Sequence, residues 1–429
     1  MKILVVGNFY PPDCMGGYEM GCRDVVEALG TRGHELLVLA AAPKKPVPHD
    51  PKVRRALRLT DIWDEYSFHN GSLDVARLDQ VRARQIDAYN VHALLDAIAD
   101  FQPDIVYFWM TIGIGGLGLL AAVEHVGVPW VWHLMDDVPS MLCRVDHAVV
   151  PELAREFERA TTEGRFLACS RQLVDEIDAN GPRLVGDVEI VPNWIAGPRK
   201  SSRAVYKEEG VARMVTASAR LDRRNGKGID LIIEAAALLR ERGLDRFRLD
   251  VFGLVVDPWF DDFIRRRDLS EHVFLQGTVP REELRRRFVD YDLFAFATHA
   301  REPFAFAPLE AAERGCVPVI SDVCGNSEWF VHEVHCLKAA RSANAFADAF
   351  ERAMADDFDL AGLGRRAAAV VKRDFHLDAV IPRIERALRA ASERPRNAPG
   401  TPEDAYRGAL LAEKLAAIWI HESAHAKCA

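Results

Sequence analysis

The stretch "REPFAFAPLEAAERGCVPVISD", Arg301 to Asp322, decides the fold. It carries two glutamates, Glu302 and Glu310, with Pro303 and Pro308 between them. Proline is poor inside a helix but welcome at its first position, where the missing N–H costs nothing. The spacing therefore predicts a helix that begins near Pro308, runs through "LEAAERG" and stops at Gly315. Glu310 then falls in the first helical turn and Glu302 in the loop that enters the helix. The apolar runs on either side, "DLFAFAT" (292–298) and "CVPVISD" (316–322), read as buried strands of a parallel sheet. This strand–loop–helix–strand unit puts the carboxylates at the carboxyl end of a strand, where open α/β sheets bind ligands. With no ligand to serve, Glu310 would be a favourable charge at a helix N-terminus and Glu302 a solvated loop residue.

The same alternation extends along most of the chain. Apolar runs at 2–7, 35–41, 104–110, 129–135, 165–170 and 188–192 form a first set of strand candidates. Runs at 213–219, 247–253, 273–279, 293–298 and 317–321 form a second. Amphipathic helical segments separate them, the pattern of two doubly wound parallel-sheet α/β domains. The polar, Gly- and Pro-broken segment "NWIAGPRKSSRAVYKEEG" (193–210) reads as the linker between them. The basic, Pro-rich "PKKPVPHDPKVRRALRL" (43–59) reads as an excursion from the first domain. The tail from about Glu393 reads as lying outside both cores.

With 429 residues the chain is long enough for two or three full cores. A net charge of −9 argues against general nucleic-acid binding. Eight cysteines without CxxC spacing indicate neither a zinc ribbon nor a disulfide framework, and fit a reducing cytosol. The opening "MKILVVGNFYPP" is a strand running into a turn, too soon broken for a signal peptide. No apolar run approaches the length of a membrane span.

Three further stretches could face a cleft between the domains. In "NFYPPDCMGGYE" (8–19), Gly16 and Gly17 precede a helix, where backbone N–H groups can approach an anion; a plain strand-to-helix turn would look the same. In "SARLDRRNGKGIDLIIEAA" (218–236), Arg220 stands at a strand end and Lys227 in a Gly-flanked turn before a helix. Two fixed cations there could neutralise a diphosphate, whereas Arg223 and Arg224 read as solvated. In "TIGIGGLGLLAAVEHVGVPWVWHLMDD" (111–137), Gly113 to Gly118 spell GxGxxG, with Asp136 further on. That motif does not follow the first strand of its domain, so a Gly-rich loop lining the cleft is favoured over a dinucleotide site. "HESAH" (421–425) matches a zinc-protease pattern but leaves no downstream sequence for a third ligand. "DFD" (357–359) matches a metal-binding triplet but lies between helices, away from any strand end.

Taken in order, these pieces resemble the family 4 glycosyltransferases. "FYPPDCMGGYE" is similar to that family's N-terminal glycine loop, "EIVPNWI" to its linker, and "ARLDRRNGKGID" to its pyrophosphate-binding stretch with two extra residues. "EPFAFAPLEAAERGCVPVIS" is similar to its Glu-x7-Glu motif, "CGNSE" (324–328) to the Gly-Asn-x-Glu that often follows, and "RDFHLDAVIPRIERAL" to the final helix that packs back on the first domain. The resemblance implies the GT-B fold, two Rossmann-like domains facing a central cleft. The first would cover 1–195 on the acceptor side and the second 205–375 on the nucleotide-sugar side. A returning helix would follow at 376–392 and an extension at 393–429.

The resemblance also implies roles. Glu302 would contact the donor sugar and Glu310 the ribose hydroxyls. Arg220 and Lys227 would hold the diphosphate, with Arg220, Lys227 and Glu302 forming the catalytic set. Gly16, Gly17, Phe304 and Ala305 would border the donor. Met135-Asp136 stands where His-Asp is usual, so His133 would either substitute for the family histidine or be a structural histidine. Ala305 likewise replaces a usual glycine. The implied activity is cytoplasmic, retaining transfer from a nucleotide-diphosphate sugar to an acceptor hydroxyl on a glycan, lipid-linked or small molecule. Cationic side chains would do the work of a metal, so neither a metal nor a cofactor is expected. Peripheral membrane contact stays open. A sugar-nucleotide epimerase or phosphorylase of the same fold, or a non-catalytic sugar-nucleotide sensor, are the alternatives.

Overall fold

Every apolar run expected as a strand forms one. A strand buried on both faces needs helices above and below, and parallel pairing with crossover helices supplies them. The computed structural model describes residues 1–14, 16–43, 46–59, 86–145, 148–149, 151–162, 164–299 and 301–394.

The strands are β1 (Lys2–Val6), β2 (Glu35–Ala41), β3 (Val53–Leu57), β4 (Ile105–Phe108), β5 (Trp130–Leu134), β6 (Arg144–Val145), β7 (Ala148–Val149), β8 (Arg165–Ala168) and β9 (Asp187–Ile190). They continue as β10 (Ala212–Leu221), β11 (Phe247–Val255), β12 (Val273–Gly277), β13 (Leu293–Phe296), β14 (Val317–Ser321) and β15 (Leu337–Ala339). One sheet has the order β3-β2-β1-β4-β5-β8-β9 and the other β12-β11-β10-β13-β14-β15, with every pairing parallel. The strand order reverses between β1 and β4 in the first sheet and between β10 and β13 in the second. Connections leave in opposite directions at such a point, which opens a crevice at the carboxyl ends of the strands.

Two parts of the sequence reading need correction. The stretch read as an excursion contains β3, an edge strand beside β2. The Gly113–Gly118 segment is buried throughout rather than open to a cleft. A Cβ on Gly116 would strike the Thr111 hydroxyl at 2.5 Å, so these glycines serve close packing. Residues 193–210, read as the linker, make contacts of their own. The Arg203 guanidinium pairs with buried Asp292 at 3.2 Å, and the Tyr206 hydroxyl donates to the Gly315 carbonyl at 2.6 Å. "DFD" is a helix start: the Asp359 carboxylate accepts the Gly362 amide at 2.7 Å and caps the helix Leu360–Asp374. "HESAH" lies outside the described residues. Among those described, no helix is long and apolar enough to cross a membrane.

By internal contacts the chain divides into two units. The first comprises Met1–Cys169, Leu173–Val191 and the stretch from Ile381; the second comprises Ser170–Gln172 and Pro192–Val380. In the first, Ile3 to Val6 and Tyr107, Phe108 and Trp132 are fully or almost fully buried. In the second, one apolar cluster joins Ile232, Ile233, Leu249, Phe260, Phe346 and Phe350.

The helix Leu377–Ser392 enters the first unit at Ile381 and is fastened there at Glu385. Its carboxylate accepts from Arg389 at 2.8 Å, Arg32 at 2.7 Å and His34 at 3.1 Å. The Arg389 hydrogen bond, then those from Arg32 and His34, hold the Glu385 pKa down at about 2. Such a group contributes stability above its unfolded value of 4.5 and loses it as pH falls through about 2. Glu385→Gln should therefore lower the thermal-unfolding midpoint at pH 7, by the equivalent of about 1 kcal/mol for a cluster partly in water. The gap should close as pH is taken from 4.5 to 2. A gap of constant size across that range would contradict this account.

Candidate functional site

The loops leaving β10 and β13 flank the switch point of the second sheet, and they carry most of the expected residues. Arg220 stands near the end of β10, just past a shift in its register with β11 between Ala217 and Arg220. It is exposed, and its guanidinium makes no ion pair among the described residues. Asn225 ties it to the next cation: its side chain donates to the Arg220 carbonyl at 2.8 Å and accepts the Lys227 amide at 2.9 Å. The turn then closes tightly onto the neighbouring strand end. Gly228 has φ 69°, and a Cβ there would meet the Ala297 carbonyl oxygen at 2.1 Å. From this turn the Lys227 ammonium reaches Glu302 and forms an ion pair with its Oε2. The structure thus joins two of the three residues expected to be catalytic.

Glu302 lies in the loop after β13, where its amide donates to the His299 carbonyl at 3.2 Å and its carbonyl accepts from Gly325 at 2.9 Å. Gly325 must be glycine for that approach, because a Cβ would lie 1.6 Å from the Pro303 carbonyl oxygen. His299 faces the same turn. Its Nδ1 accepts the Arg301 amide at 3.0 Å, which leaves the ring proton on Nε2. Burial first, and then the Lys227 ammonium, lower its pKa, so the imidazole is neutral at neutral pH. Arg341 braces the loops by donating to the Ala297 and Gly226 carbonyls, both at 3.1 Å.

Glu310 sits deeper. The helix around it is Phe306–Glu313, one turn-fraction earlier than the prolines suggest, so Glu310 falls beyond the first turn. Gly315, with φ 80°, follows its end as expected. The Glu310 side chain is only 4% exposed and is compensated by Arg281, whose Nε and Nη2 lie 2.7 and 2.5 Å from Oε1. Arg285 approaches the same oxygen at 3.8 Å. Both arginines address Oε1 rather than Oε2. Arg281 also lies over the Phe306 ring, 5.1 Å from its centroid.

Two neighbours take structural places. The Phe304 ring is 3% exposed, stacks on Phe375 and meets Trp329 edge-on, so it is a core group rather than a donor contact. Its carbonyl accepts from buried Asn193 at 2.7 Å. Ala305 exchanges two hydrogen bonds with the Asn326 side chain, its amide to Oδ1 at 2.8 Å and its carbonyl from Nδ2 at 2.9 Å. Its φ of −77° is open to any residue, so the replacement of glycine by alanine strains nothing.

In the first unit, Gly16 caps the helix Gly17–Thr31 in an extended conformation, with open space where a Cβ would be. Its amide donates to the Glu19 carboxylate at 2.9 Å, so a carboxylate already sits at this helix start. His133 takes the second of its two readings, the structural one. It lies inside β5, fully buried, stacked on Trp109 at 4.6 Å and hydrogen-bonded through Nδ1 to the Tyr107 hydroxyl at 2.7 Å. Burial lowers its pKa to about 3, so it is a neutral core histidine.

Sequence reasoning passed over Arg281, Asn225, His299 and Arg341. Asn225 was visible in the "RRNGKG" turn, where a short amide side chain suits local bonding. Arg281 had no such signal, because it sits in the charged run "REELRRR", far from Glu310 in sequence.

Two family models match the chain, "Glycosyl transferase 4-like domain" over residues 16–194 and "Glycosyl transferases group 1" over 198–369. A glycogen synthase of Mycobacterium tuberculosis is 26% identical over 390 residues, covering 87% of this chain and 90% of that protein. Among solved structures, sucrose-phosphate synthase from Thermosynechococcus elongatus aligns with a TM-score of 0.68 at 17% identity, covering 91% of this chain and 98% of that one. Anabaena HepE, solved with UDP and glucose, aligns at 0.63 and 19% identity, covering 91% of this chain and all of that one. The shared architecture is the GT-B fold.

The turn geometry carries its own test. Gly228→Ala forces a side chain into a left-handed conformation and against a carbonyl oxygen, so it should lower the unfolding midpoint by several degrees, on the order of 1–2 kcal/mol or more. A midpoint equal to that of the natural chain would show that the Lys227 turn is not held this way.

Proposed function

The chain belongs to the glycosyltransferases that these two models describe, and from that premise we propose retaining, metal-independent transfer from a nucleoside-diphosphate sugar to an acceptor hydroxyl. The observation that carries this reading is the Lys227–Glu302 ion pair at the carboxyl ends of β10 and β13. A cation suited to a diphosphate stands beside a carboxylate suited to sugar hydroxyls, in loops leaving a switch point.

In this reading Arg220 and Lys227 hold the diphosphate. The bond from the anomeric carbon to the phosphate oxygen breaks, and the acceptor oxygen bonds on the same face. The acceptor proton passes to the departing phosphate oxygen. Arg220 and Lys227 offset the charge that develops on the leaving group, which is where fixed cations lower a barrier. Once a phosphate draws the Lys227 ammonium away, Glu302 is free to accept from the sugar. Glu310 binds the ribose through Oε2, because Arg281 and Arg285 address Oε1. Arg281 is then a positioning residue that fixes the carboxylate plane. HepE was solved with UDP-glucose, so UDP-glucose is the first donor to try.

Glu310→Ala should weaken binding even of a bare nucleoside diphosphate, whereas Glu302→Ala should spare it and weaken only the sugar-bearing donor. Equal losses for both ligands in both variants, measured by calorimetry, would contradict the division of roles.

Arg220→Ala and Lys227→Ala should each cut turnover more than donor affinity, by a barrier of roughly 2–4 kcal/mol. Activity should survive EDTA, and the product should keep the donor's anomeric configuration. Near-normal turnover in both variants, a strict need for Mg²⁺ or Mn²⁺, or an inverted product would overturn the mechanism.

A further inference from the structure

The first unit holds a second cluster of cations that this reading leaves unused. Beyond the ends of β1, β2 and β3 lies a cavity of about 460 Å³, lined among others by Phe9, Asp13, Arg55, Arg58 and Tyr89. That volume is in the range of small-ligand pockets.

Both arginines are held in place by groups that do not neutralise them. Arg55 donates through Nη2 to the carbonyls of Tyr10 and Pro11, each at 3.0 Å, which fixes the guanidinium plane. Its Nη1 is shielded from solvent and has no hydrogen-bond partner. A guanidinium nitrogen in that state is costly unless an acceptor arrives. Arg58 is clamped at its main chain by the side chain of buried Asn90, which accepts its amide at 2.7 Å and donates to its carbonyl at 2.8 Å. Its guanidinium lies 3.7 Å from the centroid of the Tyr89 ring. Among the described residues no carboxylate pairs with either guanidinium, and Asp13 adds one negative charge to a lining with two positive ones. Two preset forks favour a planar or tetrahedral anion, Asp13 can accept from a hydroxyl, and Phe9 and Tyr89 offer apolar faces.

We propose that this cavity binds an acidic sugar unit of the acceptor, with its carboxylate or phosphate on Arg55 and Arg58 and a hydroxyl on Asp13. The inference rests on the transferase reading only in calling the ligand an acceptor; the pocket itself belongs to the first unit.

The test uses the full chain and four probes, glucuronate, glucose 6-phosphate, glucose and UDP, with binding followed by ligand-observed NMR. Glucuronate or glucose 6-phosphate should bind at least tenfold more tightly than glucose, and whichever binds more tightly identifies the anion as carboxylate or phosphate. Arg58→Gln, at an exposed side chain, should reduce that affinity to the level of glucose, Arg58→Lys should restore part of it, and UDP binding should stay unchanged in both. Equal binding of all three sugars, an Arg58→Gln variant that binds the acidic sugars normally, or their displacement by UDP would overturn the inference while leaving the transferase reading intact. Acidic sugars that bind through Arg58 in a chain with no affinity for nucleoside diphosphates would instead sink the transferase reading and keep the pocket.

Discussion

A carboxylate that is 4% exposed cannot stand alone, and Glu310 does not. Burying an uncompensated charge costs several kcal/mol, while one whose partner is well aligned is tolerated. Arg281 supplies that alignment on one oxygen. The consequence reaches beyond stability. A carboxylate fixed on one side is a directed acceptor on the other, whereas a solvated glutamate on a loop would turn freely. Lys227 and Glu302 use the same device nearer the surface, each keeping the other's charge in a defined place until something more highly charged competes for the lysine. The candidate site of the second unit thus holds two ion pairs that differ in depth.

The parallel sheet delivers these groups. Loops at the carboxyl ends of β10, β13 and β14 emerge together because the strand order reverses between β10 and β13. Close approach does the rest. Gly228 and Gly325 let the turn and the loop touch neighbouring carbonyls. Asn225 and Asn326 tie strand end to turn and loop to helix with paired hydrogen bonds. Positions far apart in sequence therefore act as one surface of fixed charges, which is what stabilising a developing charge without reorganisation requires.

Much of this was legible in the sequence, for identifiable reasons. Buried parallel strands are apolar on both faces, so runs such as "KILVV" and "VPVIS" announce themselves. β3 did not, because an edge strand tolerates the half-buried Arg54 and Arg55 that made its segment look like a loop. That Lys227 and Glu302 lie in loops after strands was readable because turn residues and spacing mark where β10 and β13 end. His133 could be read two ways because two residues along a strand separate a ligand-facing end from the core, and no local pattern marks that boundary. Phe304 was misread for a related reason: its main chain lies in the loop, but its ring turns into the cluster with Trp329 and Phe375. Arg281 was invisible, since the contact that gives it meaning spans distant segments and arises only on folding.

The central claim is that the two ion pairs of the second unit mark the diphosphate and ribose subsites of a nucleotide. The most direct measurement is the structure of the full chain with a bound nucleoside diphosphate. The account predicts the Lys227 ammonium drawn from Glu302 onto the terminal phosphate, and the ribose hydroxyls on Oε2 of Glu310 with Arg281 still on Oε1. A nucleotide seated elsewhere, against the Gly113–Gly118 segment or in the first unit, with both ion pairs unchanged, would contradict it.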